Sequence, residues 1–233
     1  MTAVARWWEA AGLEVLCCGT LSWNTLLPHS LTALRTSAVQ GEDTRQQLPQ
    51  LCDVLWALPA LKHLCIAIVP DLGEYLPAIL AALRGCPLMH LALNFCDVEG
   101  LSADCDLSPA LEVISLQGNR YLDLTQWLPH LAALPRCHSL DLQGCPLTDI
   151  EAIQGGLDGA TALRFLRCNF QALPLLAEAR AARGQPPIVL HGPEAEAAWD
   201  SYSTMFDTPA INYGEPCVLL PEPQLETCLR PGF

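Results

Sequence analysis

The chain has 233 residues, 51% of them hydrophobic and 16% charged, which supports a folded domain of ordinary size and rules out a wholly disordered chain or a highly charged coiled coil. Twelve Lys+Arg against 25 Asp+Glu give a formal net charge of −13, so the basic footprint of a nucleic-acid-binding protein is missing. No apolar run approaches the roughly 18 residues of a membrane span, and the opening residues Met1 to Glu9 lack the apolar core of a signal peptide, so a cytoplasmic location is expected.

Taken in chain order, residues 3–11 (Ala-Val-Ala-Arg-Trp7-Trp8-Glu-Ala-Ala) read as a short helix, with an N-terminal cap over 1–12. From residue 13 one pattern dominates, Leu-x-x-Leu-x-Leu. Weak copies run from Leu13 to Cys18 and from Leu31 to Thr36. Clearer ones follow at Leu61–Ile66, Leu88–Leu93, Leu111–Leu116, Cys137–Leu142 and Leu163–Cys168, and a last weak one reads Gln185-Pro-Pro-Ile188-Val-Leu190. The fourth and sixth places are two apart, the spacing of a strand that buries one face. Between the copies the apolar period becomes helical, in 47–56, 75–83, 127–134 and 173–179. Pro49, Pro77, Pro129 and Pro174 are expected near the starts of these helices, where a missing N–H is harmless. The segment Arg84 to Pro87, Leu134-Pro135 and Arg183-Gly184 mark helix ends. The glycine-rich run Gln154 to Gly159 is expected to end a convex segment.

The copies begin at 13, 31, 61, 88, 111, 137, 163 and 185, so the later spacings are 27, 23, 26, 26 and 22. This period, with Cys96, Asn119 and Cys145 three places after the last apolar position, resembles the leucine-rich-repeat superfamily over roughly residues 10–192, and most of all its ribonuclease-inhibitor-type branch. The fold expected is therefore an α/β solenoid over 13–192, with parallel strands on the concave side and helices on the convex side. The region 193–233 is expected to add a cap helix at 194–206, built on Trp199, Tyr202 and Phe206, and an irregular tail from about 214. Seven acidic side chains and one Arg give this region a net charge of −6. It is read as a solubilising segment, or as one that docks on a basic partner or folds over the concave face.

The repeat register also says which side chains leave the concave face of the sheet. At the third and fifth motif places stand His63, His90, Ser139, Phe165, Arg35, Cys65, Asp141 and Arg167. Asn94, Gln117, Gln143 and Asn169 form a row of amides, expected to satisfy one another and the turn backbone. Asp141 and Arg167 read as a surface ion pair, and His63 and His90 should stand about 5 Å apart. Partner-binding residues expected from this face are Arg35, His63, Met89, His90, Phe95, Glu112, Asp141, Phe165, Arg167 and Phe170, because exposed aromatics and Arg concentrate binding energy.

No phosphate-binding glycine loop, G-x-S-x-G or H-E-x-x-H motif is present, and an open concave sheet supplies no oxyanion hole. The expected function is non-catalytic binding of another protein on the concave face, with no cofactor or metal and a monomeric state when alone. The alternative is a recognition or regulatory subunit docked through its convex helices or its Trp-rich N-terminus; a thiol or metal enzyme using Cys65 and His90 ranks behind both. The twelve cysteines are expected to be thiols, since Cys18, Cys137 and Cys168 fill apolar motif places.

Overall fold

The repeated motif becomes a ladder of strands. The computed structural model describes residues 14–18, 27–37, 44–146, 150–168, 181–184, 189–190 and 218–220. In chain order the strands are β1 (Val15–Cys18), β2 (Ala33–Ser37), β3 (His63–Ala67), β4 (His90–Asn94), β5 (Val113–Ser115), β6 (Ser139–Asp141), β7 (Phe165–Arg167), β8 (Val189–Leu190) and β9 (Val218–Leu220). The helices are α1 (Thr44–Trp56), α2 (Leu72–Ala82), α3 (Leu124–Ala133) and α4 (Ile150–Gly159). β1 to β8 lie side by side in sequence order, each parallel to the next. The chain is thus an α/β solenoid.

The register is fixed by burial. The fourth motif place is Leu16, Leu34, Leu64, Leu91, Ile114, Leu140 and Leu166, each at most 1% exposed. A one-residue slip of any strand would turn its leucine out of the core. A backbone device repeats at each strand entry. The carbonyl at the second motif place accepts two successive N–H groups of the next repeat, as Lys62 O does from Met89 N (2.8 Å) and His90 N (3.0 Å). The carbonyls of Glu14, Thr32, Met89, Glu112 and His138 do the same. The sixth place is equally buried, but in β2 it holds Thr36, whose Oγ1 has no hydrogen-bond partner among the described residues. Thr36→Val keeps the shape and removes the unmet hydroxyl, so it should raise stability by about 1 kcal/mol in urea denaturation. A loss of stability would mean that the hydroxyl is bonded.

Four details refine or differ from the sequence reading. Pro49, Pro77 and Pro129 lie inside the helices, each the sixth residue and each exposed. The helices begin ahead of their apolar stripes. In α3 the start signal is Asp123, whose carboxylate accepts from Thr125 N at 3.1 Å. The missing proline N–H falls on the solvent side, where water can serve the freed carbonyl. Second, the glycine run 154–159 ends a convex segment as expected, and does so as the second half of a helix. Gly156 lies against the Leu128 side chain, where a Cβ would have no room, so glycine lets α4 approach α3 closely.

Third, the last strand is offset. Leu190, not Ile188, stands beside Leu166. Pro186 and Pro187 carry no N–H, so the ladder resumes only at Val189. Fourth, the tail expected to be irregular contains β9, which pairs antiparallel with β1, Leu16 opposite Leu219. An open β1 edge offers a row of unpaired backbone groups, and Val218-Leu219-Leu220 is a β-forming run that can take them. Pro216 and Pro221 bracket it and keep it short. The chain between Leu190 and Val218 thus joins opposite edges of the sheet. The expected N-terminal cap, the stripe 173–179 and the cap helix 194–206 lie outside the described residues.

Candidate functional site

The strands place the expected contact residues in two groups. At the concave face, His63 stands beside His90, Cys65 beside Ala92, and Asp141 beside Arg167. His63 and His90 meet closely, with ring centroids 4.3 Å apart and Nδ1 atoms 2.8 Å apart. One ring donates its Nδ1–H and the other accepts with its Nδ1 lone pair. Burial lowers both pKa values, to about 4 for His63 with help from the Lys62 charge, and to about 3 for His90 with help from His63 and His138. Both rings are neutral at pH 7.

The middle of this face is closed to solvent. His90 is 7% exposed and Asp141 3%, and Val113, Ser115 and Ser139 are also buried. The Asp141–Arg167 pair, 3.7 Å apart, therefore joins a buried carboxylate to a half-exposed guanidinium, not two surface charges. Asp141 Oδ1 also accepts from Gln143 N at 2.9 Å. Arg164 turns to its own backbone, donating to Thr161 O and Leu163 O. Arg35, His63, Met89, Glu112, Phe165 and Arg167 are half-buried, and Phe95 is exposed. Phe170 lies outside the described residues, as does Asn169 of the amide row. The rest of that row is bonded as expected. Asn94 Oδ1 accepts from Ser115 Oγ (2.9 Å) and Gln117 N (3.1 Å), and Gln117 Nε2 reaches Gln143 Oε1 at 3.5 Å.

Behind the strands the last motif place locks the turns at Cys96, Asn119 and Cys145. Asn119, fully buried, uses its whole amide: Oδ1 accepts from Cys96 N and Val98 N (both 3.0 Å), and Nδ2 donates to Leu93 O (2.7 Å) and Leu116 O (2.6 Å). Cys145 takes the same place with a single donor, Sγ to Leu116 O at 2.9 Å. Burial pushes the thiols of Cys96 and Cys137 up to about 12, so they are protonated donors and not nucleophiles. Eight cysteines, from Cys52 to Cys168, are free thiols; the side chains of Cys17, Cys18, Cys217 and Cys228 lie outside the described residues. Among the described residues no three His, Cys, Asp or Glu side chains converge as a metal site. None of the described helices is long and apolar enough to cross a membrane.

Three surface features escaped the sequence reading. The convex layer has no helix between β4 and β5, where residues 95–112 run irregularly. A cleft of about 330 Å³ opens there, lined by Leu83, Cys86, Leu107 and Leu111, with the Arg84–Asp106 ion pair (2.9 Å) beside it. Trp56, at the end of α1, is 73% exposed. Ile68 and Tyr121 are exposed on the turns that leave the strands, beside the exposed Phe95 that the sequence already marked as a contact.

No protein-family profile matches the chain, and no curated protein matches it. Among solved structures, the crystal structure of a TLR13–ssRNA13 complex aligns at 17% identity with a TM-score of 0.38. The alignment covers 64% of this chain and 23% of that one, so this chain spans less than a quarter of its length.

Proposed function

We propose that the protein is a non-catalytic, cytoplasmic interaction module that binds another protein on the concave side of its solenoid, with neither metal nor cofactor. The observation that carries this reading is the sheet itself: eight parallel strands in continuous register hold side chains about 4.8 Å apart from repeat to repeat. A surface ordered by folding spends little further entropy on binding. The neutral, hydrogen-bonded His63–His90 pair and the protonated thiols offer no activated nucleophile, which supports the non-enzymatic reading. The strand–helix alternation and the Cys or Asn turn lock support the ribonuclease-inhibitor-type branch. Contact falls to the more open members of the face, Arg35 and His63 at one end and Phe165 and Arg167 at the other. Affinity purification of the full chain from its own cells should recover a protein partner, and Arg35→Ala/Phe165→Ala should lose it while melting at an unchanged temperature. Full retention by that variant would refute concave-face binding.

Trp56 and the adjoining convex surface favour a second reading, a regulatory subunit held in a larger assembly by its helices. Trp56→Ser would then release the partner that the concave variant keeps.

A further inference from the structure

We propose that the rim of the sheet at the C-terminal ends of β3 to β5 grips a basic segment of the partner protein, through Ile68, Phe95 and Tyr121. The proposal rests on the reading of the chain as a protein-binding module and gives the chemistry of what is bound.

The turn that leaves each strand needs one left-handed residue, at the same place in four repeats. Its φ is 57° at Ile68, 56° at Phe95, 72° at Gly118 and 76° at Gly144. The N–H of that residue donates to the strand end of the next repeat, Ile68 to Asn94 O (2.9 Å), Phe95 to Gln117 O (2.8 Å) and Gly118 to Gln143 O (2.8 Å). Glycine adopts this conformation freely. Isoleucine, branched at Cβ, does so only under strain, and phenylalanine is also disfavoured. The core gains little in return, because Ile68 is 39% exposed and Phe95 50%. Strain kept at a position where glycine suffices two repeats later is the mark of a residue held for contact.

The neighbouring turn is fitted to the same arrangement. The Phe95 ring lies where a side chain on Gly118 would have to go, so glycine there gives the ring its seat. Asp97 pairs with Arg120 at 3.4 Å and ties the turn after β4 to the turn after β5. The Arg120 guanidinium stacks 4.8 Å from the ring centre of Tyr121, which is 55% exposed. Aromatic and Arg side chains on fixed turns are the ones that concentrate binding energy, and Ile68 adds apolar surface beside them.

Charge selects the occupant. Asp71 and Glu74 open α2 beside this rim, and Gly73 of the same turn packs on the Asp97 backbone. Glu99 and Asp123 are joined there by a backbone hydrogen bond of 2.9 Å. Arg120 is already paired with Asp97. A segment with Lys or Arg flanking apolar side chains fits such a rim, and an acidic one is repelled.

The test uses a fluorescent peptide of alternating Arg and Leu with a central Trp, a Glu-for-Arg counterpart and a Ser-for-Leu counterpart, titrated into the full chain. The basic apolar peptide should bind, and each counterpart should bind roughly tenfold more weakly or worse. Ile68→Gly/Phe95→Gly should lose binding by a similar factor and melt no lower than the native protein, because glycine relieves both turns. Glu74→Gln/Glu99→Gln should weaken binding and flatten its salt dependence. Equal binding by the glycine variant would overturn the proposal, as would a preference for the acidic peptide or no binding of the basic one. If the glycine variant binds normally and Arg35→Ala/Phe165→Ala does not, the rim fails while concave-face binding stands.

Discussion

Asn119→Leu should destabilise the protein by about 4 kcal/mol, a large share of the roughly 5–15 kcal/mol that holds a domain together. Leucine matches asparagine in shape and satisfies none of its four bonds. The N–H groups of Cys96 and Val98 and the carbonyl of Leu93 would be left buried with no amide to meet them, while the Leu116 carbonyl would keep the Cys145 thiol and the residue 119 backbone N–H. Each unmet buried group costs about 1–3 kcal/mol, less than additively because the turn relaxes. Cys145→Ala, at the equivalent place one repeat on, removes a single thiol donor and should cost only about 1 kcal/mol beyond the lost packing. Urea denaturation followed by circular dichroism gives both values. Equal costs for the two variants would mean that the amide is not the lock.

Acid should weaken the fold through the histidine pair. Folding lowers both pKa values from an ordinary 6.5, to about 4 for His63 and about 3 for His90. Between those values and 6.5 the unfolded chain binds more protons than the folded one, so stability falls as pH falls. Above pH 6.5 the pair has no pH-dependent effect. By pH 4 the loss should reach about 3 kcal/mol, set below the sum of the two shifts because the rings are coupled and His63 is partly exposed. A first proton can be shared along the Nδ1–Nδ1 contact, but a second leaves no lone pair to accept and sets two cations side by side. The comparison is between the native protein and His63→Gln/His90→Gln, each denatured by urea at pH 7 and pH 4.5. Carboxylates titrate alike in both, so the difference isolates the pair. Parallel pH dependence in the two proteins would contradict the account.

The histidine pair also shows what the sequence made legible. Spacing alone set His63 beside His90, and the rings meet at 4.3 Å, because buried leucines at a period of two admit a single register. Other features depend on what no motif records. Pro186-Pro187 shifted the last strand by two residues, which counting apolar places could not show. β9 arises from the need to cover the β1 edge, a tertiary demand on a run of three apolar residues. The helical glycines answer the closeness of α3 and α4. Asp141 read as a surface charge because sequence gives the face of a strand and not the depth to which it is covered. The rim leaves its trace in the repeat alignment. Aligning the copies puts Ile68 and Phe95 in the column of Gly118 and Gly144, and that column is where left-handed backbone is required.

The most direct test of the protein-binding account is hydrogen–deuterium exchange of the full chain, alone and in the complex purified with it from its own cells. Slower exchange in 33–37, 63–68, 90–97 and 165–167, the concave strands and their exit turns, is the predicted result. Protection confined to α1, α2 and the 98–112 cleft side of the convex layer, with the strands and exit turns unchanged, would contradict it.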